Sequence, residues 1–254
     1  MADDSDDFAA ATEFYFHRPP YPDEAIEWIA QRLALDGRGR LLDVGCGTGH
    51  VCLRLAQHFA ATIGIDPSRP MLNEAEAIAA RRGIQRVTFQ QLKAENLPAD
   101  LGSFRVITFG ASFHRTDRQD TADIAHAMLE TGGALALLFP ASPWRSEVAW
   151  ARELKQVVRD YTGKGVGEPF EPSQTFVRRS RFGDCQERDF RQEHVWTATA
   201  LAGWMKSTSL CAPLFLAQKM EEFERALISR LMRVQSDGLF HDVLETSVVI
   251  AIKK

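Results

Sequence analysis

The stretch Leu41-Leu42-Asp43-Val44-Gly45-Cys46-Gly47-Thr48-Gly49 sets three glycines at alternate positions directly after a short apolar run that ends in a carboxylate. Positions without a Cβ let a backbone turn sharply and lie flat against a ligand. In an α/β sheet that ligand sits outside the carboxyl end of a strand. The spacing separates this loop from two others. A dinucleotide fingerprint needs its last glycine at the sixth position, which here is His50; the phosphate loop of NTPases needs Gly-Lys-Ser/Thr, and no lysine is near. A second acid, Asp66, ends the apolar run Ala61-Thr62-Ile63-Gly64-Ile65. Its place, about twenty residues beyond the glycines, is where a carboxylate accepts hydrogen bonds from ribose hydroxyls. The plainer alternative for Asp66 is a helix cap.

A glycine loop without a lysine, joined to a ribose-binding acid, suits a nucleoside with a small charged tail. S-adenosylmethionine (SAM) is such a molecule. Here the chain resembles the class I SAM-dependent methyltransferases. Asp43 to Gly49 matches the first motif of that superfamily, and Ile65-Asp66-Pro67-Ser68 with Met71 matches the second. Lys93-Ala94-Glu95-Asn96-Leu97-Pro98 resembles its adenine-side motif, Ala111 to Asp117 its segment after strand four, and Leu129 to Ala134 its turn before strand five. Arg18-Pro19-Pro20-Tyr21-Pro22 and the His114 segment narrow the resemblance toward a small-molecule branch that includes trans-aconitate methyltransferase-like proteins. Three residues depart from the pattern: Lys93 stands where an Asp is usual, Arg105 replaces an acid, and Arg115 replaces a Trp.

The resemblance implies a set of cofactor-binding residues. Gly45 and Gly47 let the backbone approach the methionine part, Cys46 offers the small side chain the loop can hold, and Asp43 organises the loop or meets the ammonium through water. Asp66 takes the ribose hydroxyls. Pro67, Ser68 and Met71 lie along one adenine edge, with core filling an equal reading for Met71, while Ala94 and Glu95 cover the other edge. Gly110, just past strand four, lies beside the methionine part. Arg18 and Tyr21 either close over the site, the arginine meeting the SAM carboxylate, or pack the N-terminal arm against the sheet. The expected cofactor is therefore SAM, and the product S-adenosylhomocysteine (SAH).

A sulfonium methyl group is already activated, so transfer needs no metal and no covalent enzyme intermediate. Alignment of nucleophile, carbon and sulfur corresponds to an effective molarity of about 10⁵ to 10⁸ M. A general base serves only a protonated nucleophile and adds about 10²- to 10⁴-fold. His114, following strand four, is the candidate catalytic base or substrate orienter; its alternative is fixing the loop through Asp117 or backbone. Trp144, Trp196 and Trp204 either line an apolar acceptor pocket or fill a core.

The 254 residues carry 45% hydrophobic and 25% charged side chains and a net charge of −4, an ordinary globular composition. The charge argues against a nucleic-acid partner, which needs a basic footprint, and the local run Arg178, Arg179, Arg181 reads as a solvated loop. Four cysteines, at 46, 52, 185 and 211, show no metal-ligand spacing and suit a reduced, cytoplasmic compartment. Met1 to Asp7 is acidic, unlike a signal peptide, and no apolar run reaches membrane-spanning length.

Around these residues, strands and helices alternate. Strands are expected at 40–44, 61–65, 86–90, 104–109 and 134–139, with helices from Pro22, at 49–59, at 68–82 and from Asp117 to Leu129. That alternation implies a parallel sheet covered on both faces. The second half reads as a helix over 144–161, a glycine- and proline-rich loop over 162–180, a strand near 184–196, a helix at 198–207, one long amphipathic helix at 212–234 and a last strand at 243–252. The resemblance implies a Rossmann-like α/β fold of seven strands with the last antiparallel. One methyltransferase domain spans 1–254: a SAM-binding core with its arm at 1–140, cap elements with strand six at 141–235, and the final strand at 236–254. Segments 143–180 and 197–235 are expected to cap the substrate mouth. The leading function is methyl transfer to a small molecule, at oxygen of a carboxylate or hydroxyl, by a monomer or homodimer. Its alternatives are a tRNA or rRNA methyltransferase, and a SAM-binding protein that senses SAM or steers a cyclisation without transferring methyl.

Overall fold

The computed structural model describes residues 11–97, 99–165 and 173–254. The acidic start Met1–Asp7, Pro98 of the adenine-side motif, and Gly167, Pro169 and Pro172 of the expected loop lie outside the described residues. One sheet contains β1 (Arg40–Val44), β2 (Ala61–Asp66), β3 (Val87–Gln91), β4 (Phe104–Gly110), β5 (Leu129–Phe139), β6 (Phe182–Thr197) and β7 (Leu239–Lys253). The helices are α1 (Asp23–Arg32), α2 (Cys52–Leu55), α3 (Arg69–Arg81), α4 (Arg118–Met128), α5 (Ala149–Thr162), α6 (Ser173–Arg179), α7 (Ala198–Lys206), α8 (Ala212–Leu216) and α9 (Met220–Val234). The strand order is β3-β2-β1-β4-β5-β7-β6. Strands β1 to β5 pair in parallel, and β7 runs antiparallel to β5, with Ala134 opposite Ile252 and Phe139 opposite Ser247. This is the expected Rossmann-like seven-stranded α/β fold.

The chain forms two compact units. The first comprises Pro20–Pro140, Glu171–Phe190 and Thr246–Lys254. Its central strands read as continuous apolar runs because both faces are covered. Successive side chains point to opposite faces, so Leu41, Val106, Ala136 and Leu138 join one apolar cluster while Leu42, Ile107, Leu135 and Leu137 join the other. Helix α1 starts with Asp23 and Glu24 in its first turn, where the helix dipole favours acids, and buries Ala25, Ile26, Ile29 and Ala30. Helix α4 is capped by Asp117, whose carboxylate accepts from the Asp120 N–H at 3.2 Å.

The second unit comprises Met1–Pro19, Ala141–Phe170 and Arg191–Glu245. Helices α5, α7, α8 and α9 bury a core that includes Trp150, Leu154, Trp196, Leu201, Phe223, Leu227, Leu231 and Phe240. A 3₁₀ turn at Thr12–His17 packs on α7, where the missing side chain of Gly203 admits the His17 ring: a Cβ there would lie 2.2 Å from its Cδ2.

Three expected elements differ. The helix at 49–59 is the short α2 followed by a 3₁₀ turn at Ala56–His58. The loop expected over 162–180 contains α6, whose Val177 is buried among Phe104, Ala122 and other core residues of the first unit. The single helix expected at 212–234 is broken between α8 and α9, where Gln218 takes φ +54° and the Lys219 N–H returns to the Leu214 carbonyl at 2.9 Å. That backbone closure ends a helix in the same way as a glycine cap, and the sequence Ala217-Gln218-Lys219 contains no residue that announces it.

Candidate active site

Strand order reverses between β1 and β4, which opens a crevice at their carboxyl ends. The glycine loop leaves β1 there, and the His114 segment leaves β4. Gly45, Gly47 and Gly49 take φ of +66°, +52° and +85°, conformations that side chains disfavour. A Cβ on Gly45 would also come within 2.4 Å of Ser112 Cβ. Ser112 is held in turn, its Oγ donating to the Val44 carbonyl at 2.5 Å. The loop closes on itself through the Gly49 N–H to the Cys46 carbonyl, and onto β2 through the Cys46 N–H to the Ile65 carbonyl, both at 2.9 Å.

Two buried carboxylates brace this loop. Asp66 accepts the Gly47 N–H at 2.9 Å on Oδ2 and the Ser68 N–H at 2.8 Å on Oδ1, joining the loop to the start of α3. Burial raises the Asp66 pKa, while those two N–H groups and the nearby Arg115 guanidinium oppose the rise. Asp43 accepts from Thr108 Oγ1 at 2.7 Å and from the Cys52 N–H at 3.1 Å. Its burial pushes the pKa up to about 6 against both hydrogen bonds. Burial also pushes the Cys46 thiol well above its usual range. The loop is therefore a rigid main-chain surface braced by a buried carboxyl side chain at each end.

The remaining candidates of the first unit surround that surface. Ser68 is buried, and its Oγ has no hydrogen-bond partner. Met71 is buried in α3, and Pro67 is partly covered between Asp66 and Ser68. Ala94 is buried and Glu95 exposed in a 3₁₀ turn, Ala94–Asn96, that follows β3. Gly110 ends β4, where a Cβ would lie 2.8 Å from Val51 Cγ2 and 3.1 Å from the Tyr21 hydroxyl. The next residue, Ala111, takes φ +57°, and the turn it makes leads into Phe113–Arg115, with Phe113 buried and His114 exposed. Arg18 belongs to the second unit. Its Nε donates to Ser207 Oγ at 3.0 Å and its Nη2 to the Ser207 carbonyl at 2.6 Å, with the guanidinium 4.3 Å from the Tyr15 ring centre. The arm thus packs on helix α7 in this structure, and Tyr21 but not Arg18 shares a unit with the glycine loop. Trp144 and Trp204 also meet in the second unit, ring centres 4.9 Å apart, and Trp196 is buried beside Trp204 with its Nε1 unpartnered.

A methyltransferase-domain family profile matches residues 41–133, the stretch from β1 into the strand-five turn. An uncharacterized methyltransferase of Mycobacterium tuberculosis is 28% identical over 195 residues, 76% of this chain and 72% of that protein. The crystal structure of the YcgJ protein of Bacillus subtilis superposes with a TM-score of 0.61 at 18% identity, covering 92% of this chain and 99% of that one. Residues 41–133 thus carry a methyltransferase domain, and the chain is similar to the class I SAM-dependent methyltransferases. The same fold occurs in a phosphoethanolamine N-methyltransferase of Haemonchus contortus solved with phosphomonomethylethanolamine and SAH, at TM-score 0.56 and 18% identity over 92% of this chain and 53% of that one. None of the three is named as a trans-aconitate enzyme, so the narrower resemblance gains no support from them.

Within this methyltransferase core, the sequence motifs assigned no role to four residues that brace the candidate site. Thr108 and Ser112 tie Asp43 and the end of β1 in place, Ala111 makes the left-handed turn out of β4, and Arg115 acts on Asp66. Thr108 left a trace in the sequence as a hydroxyl inside the apolar run of β4, and Arg115 as a departure from the motif. Among the described residues no His, Cys, Asp and Glu cluster could hold a metal ion, and no helix is long and apolar enough to cross a membrane.

Proposed function

We propose that this methyltransferase binds SAM along the glycine loop and transfers its methyl group to a small-molecule acceptor at oxygen, by in-line displacement. The observation that carries the reading is the clasp of Asp66 on the Gly47 and Ser68 N–H groups. It holds a carboxylate with spare lone pairs at the edge of a main-chain surface that a Cβ would obstruct. Bound SAM supplies a methyl group whose sulfonium leaving group needs no further activation. The protein's part is to bind, align and exclude water.

In this reading Gly45, Cys46 and Gly47 face the methionine part, with Gly110 and Tyr21 at its far side, and ionised Asp43 balances the cofactor's positive charge across the loop. Asp66 accepts the ribose hydroxyls. Ser68 Oγ, a buried hydroxyl still without a partner, offers its bond to the adenine edge, beside Met71, Pro67, Ala94 and Glu95. An unsatisfied buried polar group costs about 1–3 kcal/mol, which a ligand that pairs it recovers. Any contact of Arg18 with a ligand carries the cost of releasing Ser207. His114 accepts the proton of a hydroxyl acceptor as the oxygen–carbon bond forms; a carboxylate acceptor arrives ionised and requires only orientation. The chain's net negative charge favours a small-molecule partner over RNA. The free thiols of all four cysteines suit a cytoplasmic setting.

The test is a panel of hydroxy and carboxylic metabolites incubated with methyl-labelled SAM. Labelled methyl in an ether or ester product supports the proposal. Tight SAM binding with no labelled product from any acceptor would assign the chain to sensing or cyclisation instead, and label in tRNA or rRNA would assign it to nucleic acid.

A further inference from the structure

At the amino ends of β2 and β3, away from the glycine loop, the first unit opens a groove of about 640 Å³. Small-molecule sites occupy about 300–1,000 Å³ and combine an apolar surface with a few charged groups. The apolar surface here is Ile26 of α1, Leu53 and Ala56 around α2, and Ile84 before β3. The charged groups are Arg54, Arg82 and Arg86, facing Asp23 and Glu27 on the first turns of α1.

These five charges do not cancel in pairs. Arg54 is committed, with Nη2 on the Asp23 carboxylate and Nη1 donating to the Tyr21 carbonyl at 2.5 Å. Arg82 and Arg86 are exposed and make no ion pair or side-chain hydrogen bond among the described residues. Burial lowers the Arg54 pKa and the Asp23 charge opposes that; Arg82 lies near enough to add a smaller lowering effect. Like charges held beside an apolar surface are relieved by a shared anion. Guanidinium groups bind phosphate through parallel N–H bonds and shed water more readily than ammonium does. Glu27, on the α1 side of the groove, repels an anion toward the Arg82 and Arg86 side.

We propose that this groove is a second ligand site, specific for an organic phosphate whose phosphoryl group is held by Arg82 and Arg86 and whose apolar body covers Ile26, Leu53, Ala56 and Ile84. Neither half of the ligand suffices. Free phosphate leaves the apolar surface wet, and an uncharged body leaves the guanidinium groups unrelieved. Because Arg54 also holds Tyr21, an occupant touches the side chain that fixes the segment beside Gly110.

The probe is 1-naphthyl phosphate, titrated by fluorescence anisotropy against the full chain in excess SAH, so that the adenosyl site is closed to it. One saturable site is expected, with 1-naphthol and inorganic phosphate each binding far more weakly. Replacing both Arg82→Ala and Arg86→Ala should weaken the probe by at least ~10-fold, the scale of losing charged hydrogen bonds. Both side chains are exposed, so the variant should fold, and its melting temperature is read alongside. A double variant that binds as tightly as the parent overturns the proposal. If it only melts lower, Arg82 serves the carboxyl end of α3 instead. Equal binding of naphthol and naphthyl phosphate, or no saturable binding by the parent chain, overturns it as well.

Discussion

At the carboxyl end of the sheet, Asp43 and Asp66 are almost wholly buried and each accepts two hydrogen bonds from groups fixed by the backbone or by β4. At the amino end, Arg82 and Arg86 are exposed and unpaired among the described residues. The first arrangement is rigid before any ligand arrives, and its cost is visible in the raised pKa of both acids. The second leaves its charge to water and can be built or removed with little effect on the fold. Chemistry that must align three atoms belongs at the first end, and a site that only selects a ligand can stand at the second.

The sharpest way to divide the two ends is through turnover. With a hydroxyl acceptor, replacing His114→Ala should slow methyl transfer by about 10²- to 10⁴-fold, the range for losing a general base, while SAH affinity measured by calorimetry stays near the parent's. Parallel loss of both would make His114 a loop-fixing residue. Gly45→Ala should cost SAH binding about 10- to 100-fold, since left-handed backbone costs a side chain about 1–3 kcal/mol and the new Cβ also meets Ser112. Its control is Gly37→Ala, with φ +84° and nothing near its Cβ position, which should lower the melting temperature without touching affinity.

Asp66→Ala should weaken SAH by at least ~10-fold, through the lost ribose bonds and the freed Gly47 N–H. An unchanged dissociation constant would remove Asp66 from the site. A smaller effect tests the cost of preorganisation itself. The pKa of Asp43 is raised on folding, so its contribution to stability is fully present below the unfolded value of about 4 and is lost as pH rises through about 6. Urea denaturation from pH 4 to 6 should show that decline, and Asp43→Asn should flatten it. Smallest of all, the paired Arg82→Ala and Arg86→Ala variant should leave methyl transfer with saturating substrates unchanged. A large loss there would erase the distinction between the two ends.

The candidate site was legible where chemistry requires a residue type that simple packing would not select. Alternate glycines after a strand, and an acid at the end of the next, have few other uses, so the loop, Asp43 and Asp66 stood out from spacing alone. Ser112 and Ala111 did not, because a serine and an alanine in a loop have many ordinary roles. Their importance comes from one hydrogen bond to Val44 and one left-handed turn, both created by where β4 ends. Arg18 shows the converse. Its segment was conspicuous, yet its partner in the fold is Ser207, a residue 189 positions away.

By itself the sequence determined the alternation of strands and helices in the first 140 residues, and with it the parallel sheet and the crevice at its carboxyl end, because periodicity and turn chemistry act over neighbouring residues. Only the tertiary structure decided that Asp66 clasps the glycine loop, that α6 forms where glycines and prolines suggested a loop, and that the last amphipathic run breaks at Gln218. Those outcomes depend on burial and on hydrogen-bond partners far apart along the chain, and such energies exist only once the chain has folded.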